Sequence, residues 1–211
     1  MDGIDSYIRD MSKGMGNVLE ELERETFLRT VTPRMLSGAV QGRLLNLLVK
    51  ILRPKSILEI GTFTGYSAIC MGLALGDGAL LDTCDRDDEH EDMILSFIKK
   101  AGLEKKINFH IGSALDVVPQ LGKSFDMVYL DGNKREYPAY YNMLFDTGSL
   151  HSGSVILADN ILWYGKVATQ SQANDTQTIQ IKAFNTLVRN DSRVENVILP
   201  LRDGLNLIRV L

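Results

Sequence analysis

Along this chain, short unbroken apolar runs alternate with stretches in which apolar positions recur every three or four residues. The unbroken runs have the length of buried strands. They are Ser56 to Ile60, Ala79 to Cys84, Ile107 to Ile111, Phe125 to Leu130, Ser154 to Ala158, Val194 to Leu199 and Leu205 to Val210. Helical periods lie between them, at Thr64 to Leu75, Asp87 to Lys100, Ala114 to Leu121, Tyr137 to Phe145 and Ile179 to Val188. Gly102 stands where the second of these helices needs a C-cap. Two further helices are expected before the first strand. One covers Asp2 to Leu28, with many charges and few apolar positions. The other begins at Pro33, a residue tolerated in a first turn. It runs through Leu44, Leu45, Leu47, Leu48, Ile51 and Leu52, and Arg53-Pro54 ends it.

Strand–helix alternation with continuously apolar strands predicts an α/β fold with a mostly parallel, seven-stranded sheet covered on both faces. The turn-rich link from Pro200 to Gly204 predicts a closing hairpin, which puts an antiparallel strand at or near the sheet edge. The segment Gly165 to Gln177 is polar and aperiodic. It reads as a loop, with use as a lid one option.

With 211 residues and 45% hydrophobic composition, the chain suits a single compact domain. Residues 1–53 supply the extra N-terminal helices, and 54–211 the core. A net charge of −4 offers no basic footprint for nucleic acid. The acidic start, Met1-Asp2-Gly3-Ile4-Asp5, does not resemble a signal peptide. No stretch is expected to reach the roughly 18 apolar residues of a membrane span. Cys70 and Cys84 lie in apolar segments without metal-type spacing. They read as core thiols of a reducing compartment, the cytoplasm.

Candidate chemistry gathers at strand ends, where open α/β sheets bind ligands. Two apolar runs stop at a carboxylate: Tyr129-Leu130-Asp131-Gly132-Asn133-Lys134 and Ile156-Leu157-Ala158-Asp159-Asn160. Asp131, Asp159 and Asn160 offer hard oxygen ligands of the kind that Mg²⁺ or Ca²⁺ takes. Lys134 would stand beside that charge as a candidate base. After the first strand, Glu59-Ile60-Gly61-Thr62-Phe63-Thr64-Gly65-Tyr66-Ser67 opens a helix. Phe63 replaces the second glycine of the dinucleotide fingerprint, so a pyrophosphate cradle is not expected. Asp85 ends the second strand, 24 positions after Gly61, where nucleotide folds place a ribose-binding carboxylate. A nucleoside without a diphosphate fits, and S-adenosylmethionine is such a ligand. Glu59 would face its amino-acid tail or its sulfonium.

These residues resemble the cation-dependent O-methyltransferases of the catechol and caffeoyl-coenzyme A type, on their bacterial branch. The resemblance extends from about Met35 onward. Glu59 to Ser67 is similar to the family's first cofactor motif. Asp131-Gly132-Asn133-Lys134 is similar to its metal-and-lysine motif, and Asp159-Asn160-Ile161-Leu162-Trp163-Tyr164-Gly165 to its second metal motif. Leu199-Pro200-Leu201-Arg202-Asp203-Gly204-Leu205 is similar to its terminal strand pair. The resemblance implies a Rossmann-like, doubly wound class I methyltransferase. It implies S-adenosylmethionine contacts from Met35, Glu59, Gly61, Thr62, Tyr66, Ser67, Asp85, Arg86, Ala114 and Asp131. It implies a divalent cation, Mg²⁺ first with Ca²⁺ or Mn²⁺ as alternatives, on Asp131, Asp159 and Asn160. Asp131 and Lys134 become the catalytic pair, with Lys134 as base. Lys134 and Trp163 would meet a small phenolic acceptor of the catechol kind. A homodimer without membrane attachment is also implied. Ala114-Leu115 replaces the Ser-Gln pair of the mammalian catechol enzymes. The chain does not show the extended N-terminal arm of the plant enzymes, which argues against coenzyme A thioester acceptors.

Two other functions remain in play. A hydroxylated uridine in transfer RNA would need a basic rim, for which Arg34, Arg43, Lys134, Arg135 and Lys166 are candidates. A non-catalytic nucleoside-binding regulator would need neither the base nor the cation. Trp163 and Tyr164 are placed to wall an aromatic substrate, although Tyr164 suits packing equally. Tyr137, Tyr140 and Tyr141 are read as packing residues. His90, His110 and His151 are read as surface or satisfied groups, and Asp116 and Asp126 as caps or turn residues.

Overall fold

The computed structural model describes residues 3–211. Helices α1 (Gly3–Met11), α2 (Asn17–Arg29) and α3 (Gly38–Leu52) come first, with a 3₁₀ turn at Pro33–Met35 before α3. Strands and helices then alternate through β1 (Ser56–Ile60), α4 (Tyr66–Gly72), β2 (Leu80–Asp85), α5 (Glu91–Lys100) and β3 (Ile107–Ile111). They continue with α6 (Ala114–Leu121), β4 (Met127–Leu130), α7 (Tyr137–Asp146), β5 (Val155–Asp159) and α8 (Thr176–Asn190). Strands β6 (Val194–Leu199) and β7 (Leu205–Val210) complete the order.

The seven strands run β3-β2-β1-β4-β5-β7-β6. β1, β4 and β5 pair in parallel, with Ile60 beside Leu130 and Leu130 beside Ala158. β7 is antiparallel to both β5 and β6, so the antiparallel strand sits one place in from the edge. The strand order reverses between β1 and β4. That is the topological switch point at which doubly wound sheets take ligands.

Two compact units divide the chain. One comprises residues up to Lys55, Thr62–Leu81 and Asp87–Phe109, and the other Ser56–Gly61, Asp82–Arg86 and His110–Leu211. In the first, α3 and α4 approach closely because Gly42 has no side chain. A Cβ there would lie 2.7 Å from Cys70 Sγ and 2.9 Å from the Tyr66 ring. Asn46 Nδ2 donates to the Cys70 carbonyl at 2.9 Å, and Thr26 and Thr64 share a buried hydroxyl contact at 3.0 Å. In the second, Tyr137, Tyr141 and Phe184 form a buried aromatic cluster. Phe184 meets Tyr137 edge-on at 5.4 Å, an arrangement aromatic quadrupoles favour.

The first helical expectation divides in two. Ser12–Gly16 is not helical, and α2 starts after Gly16 at φ 101°. Asp2, where that expectation began, lies outside the described residues. The α4 helix begins at Tyr66 because Gly65 takes φ 88°, and α5 begins only after a turn in which Asp87 Oδ1 accepts from Glu89 N. Pro33–Leu52 is apolar and long enough to pass as a membrane span by composition, which the sequence reading did not anticipate. Its α-helical part has 15 residues, about 22 Å at 1.5 Å per residue, and buries Leu45, Asn46 and Val49 inside the protein. A hydrocarbon core is about 30 Å thick. The two cysteines are buried free thiols, as expected.

Candidate active site

The second unit carries most of the expected site at the ends of its central strands. Asp131 N bonds the Ile60 carbonyl at 2.8 Å, and Gly61 N bonds the Cys84 carbonyl at 2.9 Å, so the ladder carries past the strand ends. Gly61 has φ 103°, and a Cβ on it would fall on the Asp131 carbonyl. Only glycine fits such a position. Glu59 is fully buried, and its Oε2 accepts from Thr83 Oγ1 at 2.5 Å. Asp85 is half-buried, and its carbonyl accepts from Gly112 N at 2.7 Å. Arg86 donates to Ser113 Oγ at 3.2 Å and pairs with Glu136 at 3.1 Å. Ala114 opens α6 with 5% exposure. Met35, Thr62, Tyr66 and Ser67 belong to the other unit. Thr62, Tyr66 and Ser67 are buried, while Met35 is 60% exposed and its sulfur accepts from Thr32 Oγ1.

Asp131, Lys134 and Asp159 do come together with Tyr137. Lys134 Nζ donates to Asp131 Oδ1 at 2.6 Å and to the Tyr137 hydroxyl at 2.7 Å. The Tyr137 hydroxyl also lies 3.0 Å from the Leu130 carbonyl and 2.9 Å from that of Asp159. It therefore ties the lysine to the ends of β4 and β5 at once. Lys134 sits on a 3₁₀ turn whose start is capped by Asn133 Oδ1 accepting from Arg135 N. Asp159 is 2% exposed. Its Oδ2 accepts from the Tyr129 hydroxyl at 3.0 Å, and its Oδ1 from Asn160 N at 2.8 Å. Asn160 has φ 56°, a left-handed conformation that asparagine tolerates.

Burial pushes the Asp131 carboxyl up to about 6; the nearby Asp159 charge adds to this and Lys134 opposes it. Burial likewise holds the Tyr137 phenol well above its ordinary range. A buried and a part-buried carboxyl group on adjacent strand ends, offset by one lysine, form a place that favours added positive charge. Oxygen donors from Asp131, Asp159 and Asn160 suit a hard divalent cation. Among the described residues no group of three or more His, Cys, Asp or Glu assembles as a metal site. The candidate set is two carboxylates and an amide, which is a different composition.

Tyr137 corrects the sequence reading. It is more than a packing residue, because its hydroxyl bonds Lys134 and the strand-end carbonyls. The hairpin tip was also missed as part of this region. Leu162 N bonds the Asp203 carbonyl at 2.9 Å and Tyr164 N bonds Asp203 Oδ1 at 2.6 Å. Trp163 is half-buried and its ring lies 5.5 Å from that of Tyr164, which is 80% exposed. His110 bonds buried Asp82, His151 bonds Asp126, and Asp126 Oδ2 accepts from Ser56 N at 3.0 Å.

A seven-stranded sheet with β7 inserted antiparallel beside β5, and a glycine turn after β1, define a class I S-adenosylmethionine-dependent methyltransferase. Comparison with known proteins narrows this. Residues 9–211 match the family described as O-methyltransferase, and the chain belongs to it. A probable caffeoyl-CoA O-methyltransferase of Dictyostelium discoideum is 31% identical over 208 residues, covering 96% of this chain and 89% of that protein. The caffeoyl-CoA O-methyltransferase of Mesembryanthemum crystallinum is 35% identical over 198 residues, covering 86% and 77%. The crystal structure of a Bacillus cereus O-methyltransferase in complex with SAH superposes with a TM-score of 0.90. It is 28% identical and covers 99% of this chain and 97% of that one.

Proposed function

We propose that the protein transfers the methyl group of S-adenosylmethionine to one hydroxyl of a small catechol-like phenol, the whole chain acting as one catalytic domain. The observation that carries this reading is the Lys134 amine held between Asp131 and Tyr137 beside buried Asp159. The cofactor is supported by the S-adenosylhomocysteine in the Bacillus cereus relative. On this reading Glu59, Gly61, Asp85, Arg86, Ala114 and Asp131 serve the cofactor, and the resemblance adds Met35, Thr62, Tyr66 and Ser67. Asp131, Asp159 and Asn160 hold a divalent cation, Mg²⁺ by preference. The cation supplies positive charge that favours the ionised form of a phenol, whose ordinary pKa is about 10.

Lys134, after releasing one ammonium proton to solvent, takes the proton of the acceptor hydroxyl as a neutral amine, and Tyr137 keeps that amine aimed at it. The acceptor oxygen then forms its bond to the methyl carbon as the carbon–sulfur bond breaks, leaving S-adenosylhomocysteine. Orientation of both reactants is the larger contribution, since it is worth roughly 7–11 kcal/mol in intramolecular systems. Trp163 lines the acceptor side.

Of the basic rim considered for transfer RNA, Arg34 and Arg135 are exposed, whereas Arg43 is bonded to the carbonyls of Lys13 and Gly14, Lys134 is buried and ion-paired, and Lys166 pairs with Asp175 at 3.1 Å. A homodimer is supported by the first unit. There α1 buries none of its residues and bares Ile4, Tyr7 and Met11, while Phe27, Leu28 and Val31 are also exposed. The two buried thiols support a reducing location, the cytoplasm.

The test is transfer of labelled methyl from S-adenosylmethionine to 3,4-dihydroxybenzoate or caffeate, with Mg²⁺ and with EDTA. Transfer abolished by EDTA is expected. Lys134→Ala is expected to lower kcat and leave cofactor affinity near its wild-type value. Wild-type turnover in EDTA or in the lysine variant would refute the assigned roles.

A further inference from the structure

The loop that follows the second acidic strand end is held in a demanding shape. Asn160, Trp163 and Tyr164 all have positive φ, at 56°, 47° and 56°, and Gly165 follows at 76°. Two consecutive left-handed residues other than glycine, Trp163 and Tyr164, are costly unless neighbours over-determine them. Here the neighbours come from the β6–β7 turn. The β5–β7 ladder ends with Asp159 beside Leu205. Main-chain bonds then continue beyond it, from Ile161 N to the Gly204 carbonyl and from Leu162 N to the Asp203 carbonyl. At Tyr164 the ladder has no main-chain partner to offer, and the Asp203 side chain takes over with its 2.6 Å bond to Tyr164 N. Gly204 makes the approach possible, because a Cβ there would fall on Leu162 Cγ.

We propose that Asp203 is a positioning residue for acceptor recognition: its carboxylate holds the Tyr164 main chain and so fixes the Trp163–Tyr164 ring pair against which an aromatic acceptor lies. The role of the ring pair rests on the catechol reading above, while the holding of the loop does not. The Tyr164 ring is 80% exposed and its N–H is tied down. Such a wall is accessible to a ligand and rigid in its backbone.

The test uses Asp203→Ala and Asp203→Asn, the second of which retains an oxygen acceptor at the same place. The chain has a single tryptophan, Trp163, so acrylamide quenching of its fluorescence reports on this loop alone. Asp203→Ala is expected to raise quenching and to raise KM for 3,4-dihydroxybenzoate roughly tenfold, with KM for S-adenosylmethionine unchanged. Asp203→Asn is expected to restore both readouts most of the way. Unchanged quenching in Asp203→Ala would overturn the proposal, as would raised quenching with an unchanged acceptor KM. An Asn variant as impaired as the Ala variant would also overturn it. If the wild-type protein methylates no catechol, the catechol reading has failed, and the quenching comparison still decides whether Asp203 holds the loop.

Discussion

Tyr137→Phe removes one oxygen atom from the centre of the site and keeps the ring in its packing. That oxygen accepts from Lys134 Nζ at 2.7 Å and lies within hydrogen-bond distance of the Leu130 and Asp159 carbonyls, at 3.0 and 2.9 Å. The hydroxyl has one proton to share between those two carbonyls. Its loss leaves both strand-end carbonyls without that donor and the amine without one of its acceptors. Buried groups stripped of a partner cost about 1–3 kcal/mol. For a chain of this size each kcal/mol moves Tm by about 2–4 °C, so a drop of about 2–12 °C is expected by calorimetry. The activity effect is separate. With only Asp131 left to aim it, the Lys134 amine drifts, and misplacement on the ångström scale costs up to about a hundredfold in kcat. Methyl transfer should show that loss with KM for S-adenosylmethionine unchanged. In a Lys134→Ala background the same substitution should lower kcat little further, because the group it aims is gone. A Tyr137→Phe protein with wild-type kcat would refute the claim that this hydroxyl positions the base.

On the proposed cation site, Mg²⁺ should raise the Tm of the wild-type protein and leave that of Asp159→Ala unmoved, a readout independent of turnover; no rise in the wild type, or an equal rise in both, would refute that site. Gly61→Ala should destabilise by about 2–4 kcal/mol in urea unfolding, since φ 103° and the Asp131 carbonyl both oppose a Cβ; a neutral effect would contradict the close approach of those two segments. Asp191 lies at about 2, held down first by hydrogen bonds from Arg193 and also by the Tyr141 hydroxyl. A folded-state value below the unfolded one, 3.8, means its stabilisation is complete above about pH 5 and fades as pH falls through 4 towards 2. The difference in urea midpoint between wild type and Asp191→Asn should therefore be constant from pH 7 to 5 and narrow below; a constant difference at lower pH would refute this.

The sheet was legible because its strands are short apolar runs bounded by turn residues, and period alone separates them from the helices. Helix starts were less legible, since local side chains and glycines decide them. Gly14 and Gly16 interrupt the first helical stretch, and Gly65 delays α4 by its left-handed backbone. Asp131, Lys134 and Asp159 could be picked out from their sequence context at strand ends. The duty of Tyr137 could not be read from helical spacing, because its partners Leu130 and Asp159 come from two strands. The bond from Asp203 to Tyr164 joins residues 39 positions apart, and no local pattern announces it.

The placement of β7 between β5 and β6 has a consequence for biosynthesis. A ribosome delivers β6 first, yet β6 has no strand to join until β7 has emerged to separate it from β5. During that interval the β5 edge is bare, with a fully buried run from Ile156 to Ala158 behind it. Unpaired hydrophobic edges recruit other chains. Nascent protein is therefore most exposed to self-association in the interval between the making of β5 and the pairing of β7 with it. A stop codon just after Leu199 would leave this edge permanently open, so shortened products should be insoluble even though every proposed cation ligand is present in them.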